Sequence, residues 1–185
     1  GLRVWAPESP AQAVAESARE AAPESPPRSA PVSAPAAESR STRAAAAART
    51  RPTGIDTLDW PALREAVAGC TACKLCEGRR QTVFGVGHEQ AQWMVVGEAP
   101  GEQEDRQGEP FVGKSGQLLD NMLRAIGLTR APDDAARQVY IANTIKCRPP
   151  GNRNPEPGEL AQCEPFLIRQ VELVRPRIIL AMGRF

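Results

Sequence analysis

The stretch Gln92-Trp-Met-Val-Val-Gly-Glu-Ala-Pro-Gly101 decides the fold, because a short apolar run ends there in a glycine and a polar loop. Two similar apolar runs follow at residues 139–145 and 178–182. Short continuous runs of this kind, rich in β-branched residues, are typical of parallel strands that are buried on both faces. We therefore expect residues 92–96 and the two later runs to be strands of one sheet.

Helical patterns occupy the two gaps between these runs. Residues 115–126 carry one apolar stripe, formed by Leu118, Leu119, Met122, Leu123 and Ile126. Residues 155–174 predict a longer helix, which Pro165 should kink or split in two. A further short helix should begin after Asp59 and run to about Gly69. The resulting βαβαβ order predicts an α/β fold, a three-layer sandwich with a central parallel sheet.

The first 53 residues differ in composition from the rest of the chain. Ala, Pro and Ser supply 31 of them, so this segment has too little apolar surface to offset the entropy of ordering. We predict a disordered linker over residues 1–53 and a globular domain over residues 54–185.

The net charge of +1 argues against coating nucleic acid by bulk electrostatics. Because no run of 18 apolar residues occurs, we expect no membrane span. We also expect the protein to be a monomer in the cytoplasm, associated with the nucleoid.

Five cysteines in such a chain favour metal ligands or thiols over disulfides. Cys70 and Cys73 form a chelating pair, because a two-residue spacer lets both sulfurs face one centre. With Cys147 and Cys163 they would supply four thiolates. The spacing leaves structural zinc and an iron–sulfur cluster both open. Cys76 extends the pair toward a ferredoxin-like run whose next member is missing, so it is a spare thiol or an alternative ligand.

A literal nucleotide-binding pattern, Gly108-Glu-Pro-Phe-Val-Gly-Lys-Ser115, should be set aside. A phosphate-binding loop of this type leaves a buried strand directly, so that its amides wrap the phosphates. Here an acidic stretch without strand character precedes it, and Pro110 lacks an amide. We therefore exclude a nucleoside triphosphatase.

Three motifs in combination indicate a family. They are Gly97-Glu-Ala-Pro-Gly-x-x-Glu-Asp105, Pro110-Phe-Val-Gly-Lys-Ser-Gly116 and Asn143-x-x-Lys-Cys-Arg-Pro-Pro-x-Asn-Arg153, with the paired cysteines upstream. Together they resemble the family 4 uracil-DNA glycosylases over about residues 60–185. The resemblance implies an α/β sandwich, DNA containing uracil as the partner, and hydrolytic excision of the base. It also implies a 4Fe–4S cluster held by Cys70, Cys73, Cys147 and Cys163, with zinc as the alternative.

The resemblance also assigns the site residues. Phe111 matches the aromatic that stacks on the flipped base, and Asn143 matches the amide that reads uracil against cytosine. Glu98 and Ala99 lie in the water-activating motif. Glu98 is the first candidate for holding the water, and Glu104 and Asn152 are further catalytic candidates. Phosphate contacts are expected from Lys74, Arg79, Arg80, Lys114, Lys146, Arg148 and Arg153.

The family's leaving-group histidine belongs to a later segment, which does not occur before Phe185. The only histidine, His88, precedes the first strand and does not match that motif. We therefore expect residues 1–185 alone to have little or no activity. Two other interpretations stay open: a non-catalytic DNA-binding or damage-recognition relative that keeps the cluster, and a zinc-stabilised interaction module. A covalent uracil-binding relative is disfavoured. That class carries a basic, histidine-containing loop after the Asn-x-x-Lys segment, and residues 148–155 contain no histidine.

Overall fold

The three predicted strands lie together in one four-stranded sheet. The structure, a computed structural model, describes residues 51–183, so nearly all of the predicted linker lies outside the described residues. The strands are β1 (Val86–Gly87), β2 (Trp93–Gly97), β3 (Tyr140–Asn143) and β4 (Ile178–Ala181), in the order β1-β3-β2-β4. β3 and β4 run parallel to β2 on either side of it, and β1 is antiparallel to β3.

Five α-helices surround or flank the sheet in the described part of the chain. They are α1 (Trp60–Ala68), α2 (Leu75–Gly78), α3 (Glu102–Gln107), α4 (Lys114–Ala125) and α5 (Pro157–Val174). Short 3-10 helices span Ile55–Thr57 and Pro150–Asn152. α1 begins as predicted, with the Asp59 carboxylate accepting a hydrogen bond from the Ala62 amide at 3.0 Å.

The two faces of the sheet pack against different helices, because successive strand residues point to opposite sides. Met94, Val96 and Tyr140 face a core that includes Val174 of α5. Val95 and Ile141 face a core with Leu119 and Leu123 of α4, so the three-layer α/β sandwich is confirmed. None of the helices within residues 51–183 combines the length and hydropathy that crossing a lipid bilayer requires.

The strand order places a crevice at one edge of the sheet. The chain leaves β2 toward α4 on one face and leaves β3 toward α5 on the other face. Two adjacent strands whose connections diverge in this way form a switch point, where ligands of open α/β sheets bind beyond the carboxyl ends. Gly97 and Asn143 are the paired last residues of β2 and β3, so they mark this crevice.

Burial on both faces holds for β2 and β3, but the prediction is wrong for the third strand. Ile178, Ile179 and Leu180 of β4 are between 37% and 49% exposed. An apolar run shows what a strand is able to bury, and only its position in the sheet decides what covers it. β4 has β2 on one side, and within residues 51–183 no further strand pairs with its other side.

The predicted apolar stripe of α4 is only partly buried for a similar reason. Leu119 and Leu123 are nearly inaccessible, whereas Leu118, Met122 and Ile126 are 45% to 61% exposed. The stripe is wider than the contact that the sheet offers to the helix. Nothing within residues 51–183 covers its outer part.

Of the two outcomes expected at Pro165, a kink or a split, the structure excludes the split. Residues Pro157–Val174 form one helix with Pro165 inside it. Proline removes the amide that would bond the carbonyl four residues earlier, here that of Ala161. The Arg51 guanidinium donates to this carbonyl at 3.3 Å, which replaces the missing partner.

The fold also bears on the nucleotide-binding pattern, which was set aside on its sequence. The segment from Gly108 to Ser115 follows α3, which ends at Gln107, and it therefore leaves a helix rather than a strand. Its exclusion as a triphosphate loop is consistent with this geometry.

Candidate active site and cysteine cavity

An open cavity of about 280 Å³ lies at the carboxyl ends of β2 and β3. All six predicted catalytic and substrate-binding residues line it: Glu98, Ala99, Glu104, Phe111, Asn143 and Asn152. They come from the loop after β2, from α3, from the loop before α4, from the end of β3 and from the 3-10 helix Pro150–Asn152, so the fold brings together residues up to 54 positions apart in the sequence. A cavity with converging polar groups and one aromatic ring is the usual form of a small-ligand site.

Asn143 is the buried polar group at the floor of this cavity. It is 2% exposed, and within residues 51–183 no hydrogen bond engages its side-chain amide. The amide is therefore available to a ligand that offers complementary donors and acceptors. The position therefore suits recognition of a planar ligand edge.

Phe111 lies beside Asn143, in a backbone conformation that non-glycine residues seldom adopt. Its φ is 54°, in the left-handed region. The loop is held there from several directions, since Arg130 donates to the Pro110 carbonyl at 3.2 Å and the Phe111 carbonyl lies against Gly116 of α4. A Cβ at Gly116 would overlap that carbonyl. These contacts hold the strained backbone in place, and the aromatic ring lies in the cavity wall.

Gly97 leaves the space that these two side chains occupy. A Cβ at this position would lie 2.6 Å from Phe111 Cζ and would overlap Asn143 Oδ1. Only glycine allows the ring and the amide to approach the strand end so closely.

Gly97→Ala is therefore expected to distort the pocket more than the fold. We predict at least about a tenfold loss of affinity for a uracil-containing oligonucleotide, since small displacements at such sites have large effects. Fluorescence anisotropy would measure the affinity and thermal melting would measure the fold. Gly78→Ala is the matched control, because a Cβ there meets nothing within 4 Å. Wild-type affinity in Gly97→Ala would contradict the geometry.

Glu104 ties together the loops on both sides of the cavity. Its Oε1 accepts hydrogen bonds from the amides of Val112 and Gly113 at 2.9 and 3.0 Å. Its Oε2 accepts from the Gly101 amide at 3.1 Å. Both carboxylate oxygens are thus used by the backbone, which suits Glu104 to positioning the Phe111 loop.

The Glu98 carboxylate is in a different situation. It lines the cavity, and the described residues offer it no hydrogen-bond or ion-pair partner. The Glu98 backbone carbonyl accepts from the Ile145 amide at 3.3 Å, which fixes the main chain beside β3. This leaves the carboxylate free to bind water or ligand.

Asn152 lies on the opposite wall, in a loop anchored by two arginines. Its Oδ1 accepts from Arg148 Nε at 2.7 Å. Arg153 makes two hydrogen bonds to the nearly buried Glu159, at 2.6 and 2.9 Å, and these bonds hold the pKa of that carboxyl below its usual range. The loop is thereby fixed to α5.

Several residues of the cavity wall were not predicted from the sequence, among them Ser115, Asn154 and Met182. Ser115 lies inside one of the three motifs and Asn154 directly follows another, so their place in the sequence was the available signal. Met182 follows the exposed strand β4, and only the strand order shows that this strand ends beside the cavity.

A second, much smaller cavity, of about 20 Å³, is lined by the cysteines. All five line it: Cys70, Cys73, Cys76, Cys147 and Cys163. Cys147 is buried and the other four are half-buried. Burial raises the pKa of Cys163 to about 12 and also raises that of Cys147, so these thiols are protonated unless a cation compensates their charge.

Two hydrogen-bond donors face these sulfurs. Arg79 Nη1 donates to Cys147 Sγ at 3.1 Å, and the Lys146 amide donates to Cys163 Sγ at 3.2 Å. Donors of this kind stabilise thiolates and set the potential of iron–sulfur clusters. Within residues 51–183, no three His, Cys, Asp or Glu side chains are grouped so as to hold a metal ion. Thiols are ligands of zinc and of iron–sulfur clusters alike, so the chemistry of this donor set fits either group.

One predicted phosphate contact is wrong. Lys146 is 1% exposed and cannot reach DNA, because the chain turns it inward after β3. Burial lowers the pKa of Lys146 to about 8. Arg79 is half-buried against Cys147 rather than fully open to a ligand.

Comparison with known proteins identifies the family. Residues 84–185 match the profile of the Uracil DNA glycosylase superfamily.

The chain belongs to this superfamily.

Three relatives carry the name Type-4 uracil-DNA glycosylase. The protein from Sulfurisphaera tokodaii is 47% identical over 131 residues, which cover 70% of this chain and 56% of the relative. Those from Archaeoglobus fulgidus and Thermotoga maritima are 48% and 46% identical, over 64% of this chain and 57% and 59% of their own lengths. The chain thus spans little more than half the length of these superfamily members.

Proposed function

We propose that the protein is a uracil-DNA glycosylase, whose residues 54–185 supply the base-binding pocket and a cluster-bearing domain. The observation that carries this proposal is the amide of Asn143, which makes no hydrogen bond within residues 51–183 and lines the switch-point cavity beside the ring of Phe111. The superfamily match and the printed names of its relatives support the same conclusion.

Recognition in this proposal depends on flipping the base out of the helix stack. A duplex hides the bond to be broken, so the nucleotide must rotate into the cavity. Phe111 stacks on the face of the pyrimidine. The Asn143 amide donates to O4 of uracil and accepts from N3–H, a pattern that cytosine reverses.

The reaction is hydrolysis of the N-glycosidic bond. As the bond between C1′ and N1 breaks, its electron pair leaves with uracil and the sugar becomes oxocarbenium-like. Water adds to C1′ and gives up a proton. Glu98 has the free carboxylate that orients this water and stabilises the cation, while Ala99 leaves room beside it. Glu104 and Asn152 hold the walls, and the uracil anion takes up a proton on release.

Cys70, Cys73, Cys147 and Cys163 would hold a 4Fe–4S cluster. The thiols that line one cavity and the N–H donors that face two of them support a site for a metal or cluster, and the resemblance to the family 4 uracil-DNA glycosylases favours the cluster over zinc. When bound, the cluster supplies a structural tie between the α2 segment and the loop after β3. Hydrolysis needs no electron from it.

Excision of uracil from single-stranded DNA tests the proposed function. The native protein is incubated with an oligonucleotide bearing one deoxyuridine, and alkali then cleaves abasic sites. We expect cleavage at uracil and none in matched oligonucleotides with cytosine or thymine. Tight uracil binding without excision would instead favour a non-catalytic damage-recognition protein.

A further inference from the structure

Lys146 is a buried charged residue that the proposed chemistry does not use. Its Nζ donates to the Asn143 backbone carbonyl at 2.8 Å and to Gln170 Oε1 at 2.6 Å. Gln170 is also fully buried, and its Nε2 donates to the Phe84 carbonyl at 2.9 Å and to the Tyr140 hydroxyl at 3.1 Å. We call Lys146 and Gln170 the buried clamp.

The buried clamp joins two backbone segments at the point where strand pairing stops. β1 pairs with β3 through Val86 with Ile141 and Gly87 with Tyr140. Continuing this register would bring Phe84 opposite Asn143, beyond the end of β1. The carbonyls of these two residues are linked through the clamp side chains instead of through ladder bonds.

The backbone of Lys146 is itself held on two sides. Its amide donates to Cys163 Sγ at 3.2 Å, and its carbonyl accepts from the Val83 amide at 2.8 Å. One residue thus contacts the cysteine cavity with its main chain and Asn143 with its ammonium group. Desolvating an ammonium group is costly, so a buried lysine with two short hydrogen bonds implies a defined geometry.

We propose that Lys146 is a positioning residue that, through the buried clamp, sets the orientation of Asn143 for base selection. This rests on the proposed function, because it assumes that the Asn143 side chain reads the base. The ammonium group fixes the Asn143 carbonyl, and a fixed main chain fixes the direction in which the amide leaves it. Loss of the clamp then changes selectivity as well as stability.

Replacing Lys146 with Met tests the proposal, because Met keeps an apolar chain of similar length and removes the donors. The readout is the ratio of dissociation constants for two single-stranded oligonucleotides, one with 2′-fluoro-2′-deoxyuridine and one with 2′-fluoro-2′-deoxycytidine. The fluorine disfavours the oxocarbenium-like state, so binding is measured without excision. We expect Lys146→Met to reduce the uracil preference about 10- to 100-fold.

Val174→Ala is the matched control for general destabilisation. Val174 is buried in the core between α5 and the sheet and belongs to neither cavity. It should lower the melting temperature and leave the uracil preference unchanged. An unchanged preference in folded, iron-loaded Lys146→Met would overturn the proposal, and so would an equal loss in Val174→Ala.

A second variant covers the case in which Lys146→Met does not fold. Gln170→Met removes one partner of the ammonium group and leaves its bond to Asn143, so we expect a smaller loss of uracil preference, about threefold or more. A wild-type preference in this variant would then reject the role of the clamp. Absence of any uracil preference in the wild-type protein would reject the proposed function, and the role of Lys146 with it.

Discussion

Replacing Asn143 with Ala is expected to lower kcat/KM for uracil excision by about 10³-fold or more, which corresponds to about 4 kcal/mol of transition-state stabilisation. The side chain is 2% exposed and no other residue within 51–183 engages its amide, so its hydrogen bonds are available to the base. Sites that select by hydrogen bonding lose most of their discrimination when the selecting group is removed. The fold should change little, because Ala retains the Cβ and the main-chain bonds of β3.

Single-turnover kinetics on deoxyuridine-containing single-stranded DNA would measure this effect. Asn121→Ala is the matched control, since Asn121 lies exposed on α4, where it accepts only from Arg124. It should retain wild-type kinetics. Residual activity within tenfold of wild type in Asn143→Ala would show that another group reads the base.

Replacing Cys147 with Ala is expected to remove the bound iron and to lower the melting temperature by about 10 °C or more. Cys147 is the most deeply buried of the cysteines, and Arg79 already faces its sulfur with a donor. A ligand set that joins distant segments releases its binding free energy into folding. The metal-free variant also leaves the Arg79 guanidinium without its sulfur partner.

Cys76→Ala is the control that separates four ligands from five. Cys76 lines the same cavity but lies outside the predicted ligand set. We expect it to keep the brown colour and about four irons per chain, as measured by visible absorption and elemental analysis. Loss of iron equal to that in Cys147→Ala would mean that the ligand set is wrong. Stoichiometric zinc in the wild-type protein would favour the zinc interpretation over the cluster.

The long elements of the fold were predictable because their patterns are strong. Residues 92–96 and 178–182 became strands within one residue at each end, and the run at 139–145 became the shorter strand Tyr140–Asn143. The helices predicted for residues 115–126 and 155–174 are α4 and α5. The period of the apolar residues and the glycines that end an element are local properties, so they can be recognised in a single sequence.

The short elements were not predictable. β1 has two residues, α2 has four, and α3 is the polar segment Glu102–Gln107. None has an apolar period long enough to be recognised. α3 forms because Gly101 and Glu104 cap it and because Glu104 is bonded to the neighbouring loop. These contacts come from residues that meet only after folding.

For the functional site, too, some features were predicted from the sequence and others were shown only by the tertiary structure. The motifs around Glu98, Phe111 and Asn143, through their resemblance to a known family, predicted residues that line one cavity in the structure. The inward turn of Lys146 and the use of Glu104 as a loop anchor came from the tertiary structure alone. Residue types and spacing state which groups are available to a site. Their partners depend on which distant segments pack together, and in this chain strand order and burial make that choice.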